Sequence, residues 1–512
     1  MTNGNKRPIA LIILDGWGIS PQKRGNAIEL AHTPVYDEIC AKYPRTSLVA
    51  SGVRVGLPAD AAGNAEVGHM SIGAGRIVQT DVSLVEKAIG SGAFFENEVL
   101  KSAFARARAA NTAVHMMGLV SDGGVHSSSE FLFALLRMAK REGVSEVFVH
   151  CILDGRDVQP RTADIYVEAL EIKMDDIGIG RIASLCGRFF AMDSSGNWER
   201  TARAYTMLVH AEGERSFDAT SAVRASFLRG INDEFIAPIV IEKEPEIPVA
   251  TVKNQDVVVF FNHRADAMRQ LVRSLAVPDE SAAKPKIEVV CLTEYDRSFH
   301  LPVAFGPEPE RNVLAQVLEE NGVENYRITE TERFVHVTQL FNGGADSGHS
   351  HERHLFVAAS NSESRESEPE SQSFKITDRL LRGIESDGGG VFVVNLPATD
   401  LLAATGNLEK TIEAVQFVDT CLGGVLEKVR EANGIALITS SHGNCEEMIN
   451  PFTDEPDLSS TGNSVPFHYI DDQKPFAKLR DGGALEDVAP TILGILGIEK
   501  PVEMTGNDLR RF

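Results

Sequence analysis

The stretch AAGNAEVGHMSIGAG, Ala61 to Gly75, has the frame of a nucleophile's seat. Gly63 and Asn64 suit a sharp turn, Glu66-Val67-Gly68-His69 opens a helix, and Gly73-Ala74-Gly75 permits close backbone approach. The residue at the tip is Ala65, and a methyl group attacks nothing. Other reactive types stand just after short apolar runs: Asp15, Ser121-Asp122, Asp154-Gly155-Arg156-Asp157, Gly187-Arg188, Asn262-His263-Arg264, Asp400 and Ser441-His442. Open α/β sheets place their sites beyond the carboxyl ends of their strands, so these residues are the candidates for holding cations and anions. HSHERH, with His349, His351 and His354, has metal-ligand types but adjoins the polar run SNSESRESEPESQS. We expect a polar loop at the first and a mobile surface loop over Ser360–Ser373. A phosphate loop of the form GxxxxGK[ST], an HExxH helix and a GxSxG elbow are all lacking. GIGRIASLCG has no glycine where a dinucleotide fingerprint needs its third.

The elements that must position these residues are the apolar runs themselves. IALIIL, TAVHMMGLV, SEVFVHCIL, RIASLCG, QDVVVFFN, IEVVCLT, GVFVVNL and IALITS alternate with longer helical stretches. That alternation predicts an α/β fold with mostly parallel strands. A chain of 512 residues exceeds one hydrophobic core and predicts about two to four domains. The net charge of −23 argues against nucleic acid or an anionic membrane as partner, while leaving a small anionic ligand open. Six scattered cysteines predict reduced thiols. The apolar run Ile9–Leu14 ends in Asp15 and is too short to span a bilayer, so we expect a cytoplasmic protein without a targeting segment.

Taken in order, the post-strand residues resemble the cofactor-independent (2,3-bisphosphoglycerate-independent) phosphoglycerate mutases of the alkaline phosphatase superfamily. The resemblance rests on LIILDGWG, GNAEVGHMSIGAGRIV, GLVSDGGVHS, HCILDGRDVQPRTA, IASLCGRFFAMD, WERTARAY, TETERFVHVT, SSHGNCEEM and GALEDVAPTILGILGIEKPVEMTG, which span nearly the whole chain. It implies an alkaline-phosphatase-like three-layer α/β domain, residues 1–78 with 311–512, and an inserted second α/β domain, residues 79–310. It also implies interconversion of 3-phosphoglycerate and 2-phosphoglycerate through a phosphoserine, with two manganese or magnesium ions.

Carried over position by position, the resemblance predicts a damaged site. The nucleophile of the family's GNSEVGH falls on Ala65. The metal ligands Asp15, Asp400 and His442 are kept, whereas ligand positions fall on Ala404, Ser441 and Ser460. One metal site thus keeps Asp15 and His442, and the other only Asp400. The glycerate positions keep His126, Arg156, Asp157, Arg188 and Arg264; Arg333 replaces a lysine, and Ser194 and Ala267 replace arginines. A divalent ion needs about three protein ligands, so we expect none or one weakly bound metal. A serine at 441 removes the repulsion that an aspartate there would exert on Asp15 once metal is gone. Ser441 beside His442 is the best substitute nucleophile, although neighbouring side chains usually point apart. Ser71 lies about 240° around the helix from position 65 and faces elsewhere.

Three functions compete at this point: a non-catalytic relative that binds an anionic small molecule or a protein, an enzyme with altered chemistry on a phosphorylated, phosphonate or carboxylate ligand, and a mutase working by an unseen route. We expect impaired mutase chemistry, a small carboxylate or phosphate ligand, no nucleic-acid or membrane partner, and a monomer. We also expect Asp15, Ala65, Asp400 and His442 to converge in one cleft.

Overall fold

A computed structural model describes residues 7–277, 284–306, 309–345, 350–358, 369–451 and 453–511. The chain forms two compact units, Met1–Thr80 with Glu308–Phe512, and Asp81–Pro307.

In the discontinuous unit, the described residues form an eight-stranded sheet. Its order is Glu352–His354, Asn325–Ile328, Gly390–Leu396, Pro8–Leu14, Ile435–Thr439, Val465–Ile470, Arg45–Val49 and Gly483–Ala484. Strand residues alternate between the two faces. Ile9, Leu11 and Ile13 enter one core with Val391, Val393 and the helix Val488–Leu496. Ala10, Ile12 and Leu14 enter the other, against the helices Pro369–Asp387 and Leu408–Glu431. Both faces being covered, the central strands Pro8–Leu14, Gly390–Leu396 and Ile435–Thr439 are mainly apolar, which is why they read as hydrophobic runs.

The Asp81–Pro307 unit repeats that logic. Its central strands run Glu288–Cys291, Val257–Phe260, Val114–Leu119, Val147–Leu153 and Arg181–Gly187, all parallel. Ile239–Glu244 then joins antiparallel. Val114 and Met116 face one core, Met117 and Leu119 the other.

Two loop expectations fail: within HSHERH, Glu352–His354 forms the edge strand of the sheet, paired parallel with Asn325–Ile328. The loop expected over Ser360–Ser373 ends early, because the helix Pro369–Asp387 starts within it and Ser373 is buried. Proline tolerates the first helical turn, and Ile376, Leu380 and Ile384 recur at helical spacing on the buried face. Residues 359–368 lie outside the described residues. All six cysteines are free thiols. Among the described residues no helix is long and apolar enough to cross a membrane.

Candidate functional site

Asp15 ends the strand Pro8–Leu14, is fully buried, and is followed by Gly16, which turns the chain at a φ of +79°. Strand register brings its partners in. Ile13 sits opposite Asn395 on one side and Thr439 on the other. Asn395 Nδ2 donates to Asp15 Oδ2 at 2.6 Å. Ser441, two residues past Thr439, donates from Oγ to Asp15 Oδ1 at 2.5 Å and lies 2.9 Å from His442 Nδ1. His442 Nε2 is 3.0 Å from Asp400 Oδ1. Asn444 Nδ2 donates to the same oxygen at 3.1 Å, and Arg333 Nη2 to Asp400 Oδ2 at 3.4 Å.

The electrostatics follow from that geometry. Burial alone would lower the pKa of His442, but the hydrogen bond and charge of Asp400 outweigh it and hold the imidazole above its ordinary value. Burial would raise Asp400; the hydrogen bond and charge of His442, with Arg333, instead take it down to about 2. A doubly protonated imidazole donates from both nitrogens. Nδ1–H then points to Ser441 and Nε2–H to Asp400, which frees the serine proton for Asp15.

Ala65 opens the helix Ala65–Ala74, with Asn64 as its cap accepting from the Val67 amide at 3.0 Å. A Cβ at Gly68 would come within 2.2 Å of the Ser441 carbonyl oxygen, so only glycine lets this helix rest on that loop. His69 fixes the arrangement: Nδ1 bonds the Ala65 carbonyl at 2.8 Å, and Nε2 lies 3.8 Å from Asp15 Oδ1. Asp15, Ala65, Asp400 and His442 therefore occupy one place. Ser71 is buried in that helix without a hydrogen-bond partner among the described residues.

Does this donor set suit two divalent cations? Ala404 offers no donor and is exposed at the end of the helix Ala398–Ala403. Ser441 is neutral, and both of its hydrogen-bond neighbours are already engaged. Both oxygens of Asp15, both of Asp400 and both nitrogens of His442 take part in hydrogen bonds within the unit. Ser460 is partly exposed in the loop before Thr461, whose amide donates to the Gly443 carbonyl at 2.9 Å. A metal needs deprotonated lone pairs from about three or four side chains. The residues present do not fit a metal pair. Ser441 as nucleophile fares no better, since its proton is committed to Asp15 and the residue is fully buried.

The HSHERH run is absorbed by ion pairs. His351 Nδ1 lies 3.1 Å from Glu324, and His354 Nε2 2.7 Å from Glu352 while stacking on Phe356; His349 lies outside the described residues.

In the Asp81–Pro307 unit, His126, Arg156, Asp157, Arg188 and Arg264 all line one cavity of about 450 Å³. Asp154 ends the strand Val147–Leu153, and its Oδ1 accepts from the Arg156 and Asp157 amides at 3.1 and 2.9 Å, folding that loop into a fixed turn. Arg188 Nη1 donates to Asp154 Oδ1 and Asp157 Oδ1, both at 2.7 Å. Asp157 Oδ2 meets His126 Nδ1 at 2.6 Å. Burial would raise Asp157, but hydrogen bonds from His126 and Arg188 keep its carboxyl below the usual range. Arg200 pairs with Asp193 at 2.9 Å and lies over the Phe189 ring; Arg264 pairs with Asp266 at 3.1 Å. Arg156 has no carboxylate within ion-pair distance among the described residues. Ser194 and Ala267 line the cavity without a charge.

Sequence reasoning missed several partners. Asn395 lies inside an apolar strand, and Asn444 and Asp154 are residue types common in any turn. Arg200 and Asp193 pair across the start of the helix Trp198–His210, where the sequence shows only an acid and a base seven residues apart. The expectation that Ser441 and His442 point apart is corrected: the two residues lie in neither a helix nor a strand, and their side chains meet at 2.9 Å, Ser441 reaching on to Asp15 and His442 to Asp400.

The family model described as the BPG-independent PGAM N-terminus (iPGM_N) matches residues 85–297. A 2,3-bisphosphoglycerate-independent phosphoglycerate mutase of Moorella thermoacetica is 45% identical over 508 residues, covering 98% of each chain. One from Clostridium perfringens is 41% identical over 509 residues, covering 99% of each. A phosphoglycerate mutase of Leishmania mexicana, solved at low cobalt concentration, superposes with a TM-score of 0.74 at 27% identity, over 99% of this chain and 98% of that one. On this full-length identity and a shared α/β architecture, the chain belongs to the 2,3-bisphosphoglycerate-independent phosphoglycerate mutase family.

Proposed function

We propose that this chain binds a small phosphorylated or carboxylate-bearing anion in the Asp81–Pro307 unit and does not carry out its family's phosphoryl transfer. The observation that carries this reading is the use of Asp15, Asp400 and His442 on one another around a position, Ala65, that has no nucleophile. Without a hydroxyl and without free cation ligands, little remains that stabilises a phosphoryl transition state more than the ground state. The cavity supports the binding half. Arg188 is held rigid by two carboxylates, and Arg156 has charge to spare for a carboxylate or phosphate oxygen. The protein acts as a cytoplasmic monomer on this reading, with a small metabolite rather than nucleic acid or membrane as partner.

The test is a coupled assay for 3-phosphoglycerate to 2-phosphoglycerate conversion, run beside thermal unfolding with 3-phosphoglycerate. We expect turnover below about 0.1 per second, a hundredfold under an ordinary enzyme, and a ligand-dependent rise in unfolding temperature. Turnover at an ordinary rate would end this reading.

A further inference from the structure

We infer that the chain Asp15–Ser441–His442–Asp400, closed by Arg333, holds the discontinuous unit together in place of metal ions, with Ser441 as its positioning residue. The inference rests on the preceding reading in treating this region as free of phosphoryl transfer, and extends it to what the altered residues do instead.

Two buried carboxylates near each other need counter-charge or hydrogen bonds. Asp15 is completely buried and the Asp400 side chain is 13% exposed. Asp15 is satisfied on one oxygen by Asn395 at 2.6 Å and on the other by Ser441 at 2.5 Å. Asp400 is satisfied by His442 at 3.0 Å, Asn444 at 3.1 Å and Arg333 at 3.4 Å. The two halves meet at the Ser441 hydroxyl, which lies within hydrogen-bond distance of both Asp15 and His442. A hydroxyl can accept one hydrogen bond and donate another without adding charge. An aspartate at 441 would put a third carboxylate among these groups. An alanine would leave Asp15 Oδ1 and His442 Nδ1 without their shared partner. The backbone leaves no slack: the Gly68 Cα approaches so closely that an added Cβ there would lie 2.8 Å from the Ser441 Cβ. Position 441 therefore decides whether this region needs added cations.

The test uses the full chain and reads thermal unfolding in EDTA and in manganese, with elemental analysis of the purified protein. Wild type should carry less than one manganese per chain, and its midpoint should differ by under about 1 °C between EDTA and manganese. Ser441→Asp should unfold at least about 3 °C lower in EDTA and regain most of that loss with manganese, a response that a purely structural defect would not show. Ser441→Ala should fall by a similar amount in both solutions, with no rescue. About two manganese ions per wild-type chain, or a wild-type midpoint that drops several degrees in EDTA, would overturn the inference. So would a Ser441→Asp protein as stable as wild type in EDTA. That last result, with mutase turnover still absent, would remove the inference and leave the proposed function standing. Turnover by wild type in EDTA would remove the function and leave the inference standing.

Discussion

The two units put their charged side chains to different uses. In the Asp81–Pro307 unit, arginines line a cavity: Arg188 is braced by Asp154 and Asp157, while Arg156 remains unpaired by any described carboxylate. In the discontinuous unit, charges of both signs are spent on each other, from Asp15 through Ser441 and His442 to Asp400 and Arg333. A braced cation with a free neighbour can receive a ligand. Asp15, Ser441, His442 and Asp400 have their polar atoms engaged with one another or with Asn395, Asn444 and Arg333, which gives stability and leaves those four side chains little to offer outward. Clusters of one residue composition thus serve binding or folding according to how many of their hydrogen-bonding positions are left over.

Acid challenges both units most strongly. Burial pushes His263 and His468 down to about 4, one in each unit. A histidine with a depressed folded pKa contributes stability that is present above its unfolded value near 6.5 and is lost as pH falls below it. Each should cost about 1.4 kcal/mol per pH unit between roughly 6.5 and 4. Urea unfolding across that range should show it, and His468→Gln should make the acid limb of the discontinuous unit shallower, part of it remaining because burial also pushes His336 there down to about 4. An acid limb unchanged by either His468→Gln or His263→Gln would break the assignment.

Arg188→Met comes next. Removing this buried cation leaves Asp154 without its ion pair and Asp157 with His126 alone, and should destabilise the chain by about 3–5 kcal/mol, as other broken buried pairs do. Binding of 3-phosphoglycerate, measured by calorimetry on whatever remains folded, should vanish with it. Undiminished stability would mean the brace contributes little.

Arg156→Ala separates binding from folding. It should weaken 3-phosphoglycerate binding about tenfold to a hundredfold, one charge-assisted contact's worth, and leave the unfolding midpoint within about 1 °C. A large loss of stability would place Arg156 in the frame rather than in the receiving face. The smallest expected effect belongs to Ala65→Ser. The new hydroxyl at the start of the helix Ala65–Ala74 would have no cation to lower its pKa, so the coupled assay should stay at background. Clear activity from that single change would contradict the whole contrast between the units.

How much of this was legible beforehand depended on burial. Gly390–Leu396, Ile435–Thr439 and Val147–Leu153 are covered on both faces, so their sequences are mainly apolar, with Asn395, Thr439 and His150 the polar exceptions. Asn325–Ile328 escaped notice because it reads NYRI, with Arg327 wholly buried against Glu352 and over the Phe341 ring. Val465–Ile470 and Arg45–Val49, paired antiparallel, carry too few apolar residues in a row to stand out.

By itself, the sequence determined the alternation of strands and helices, the family, and the chemical type at each site position: that 65 is alanine, that 441 is serine, that 156 and 188 are arginine. Those are local facts, readable from side-chain type, period and motif order. Only the tertiary structure decided what these types do. Ser441 meets Asp15 across 426 positions of chain, and Asn395 meets it across 380, because parallel strands with fixed register end side by side. Hydrogen bonds act over about 3 Å, and no spacing in the sequence tells which distant residues will come that close.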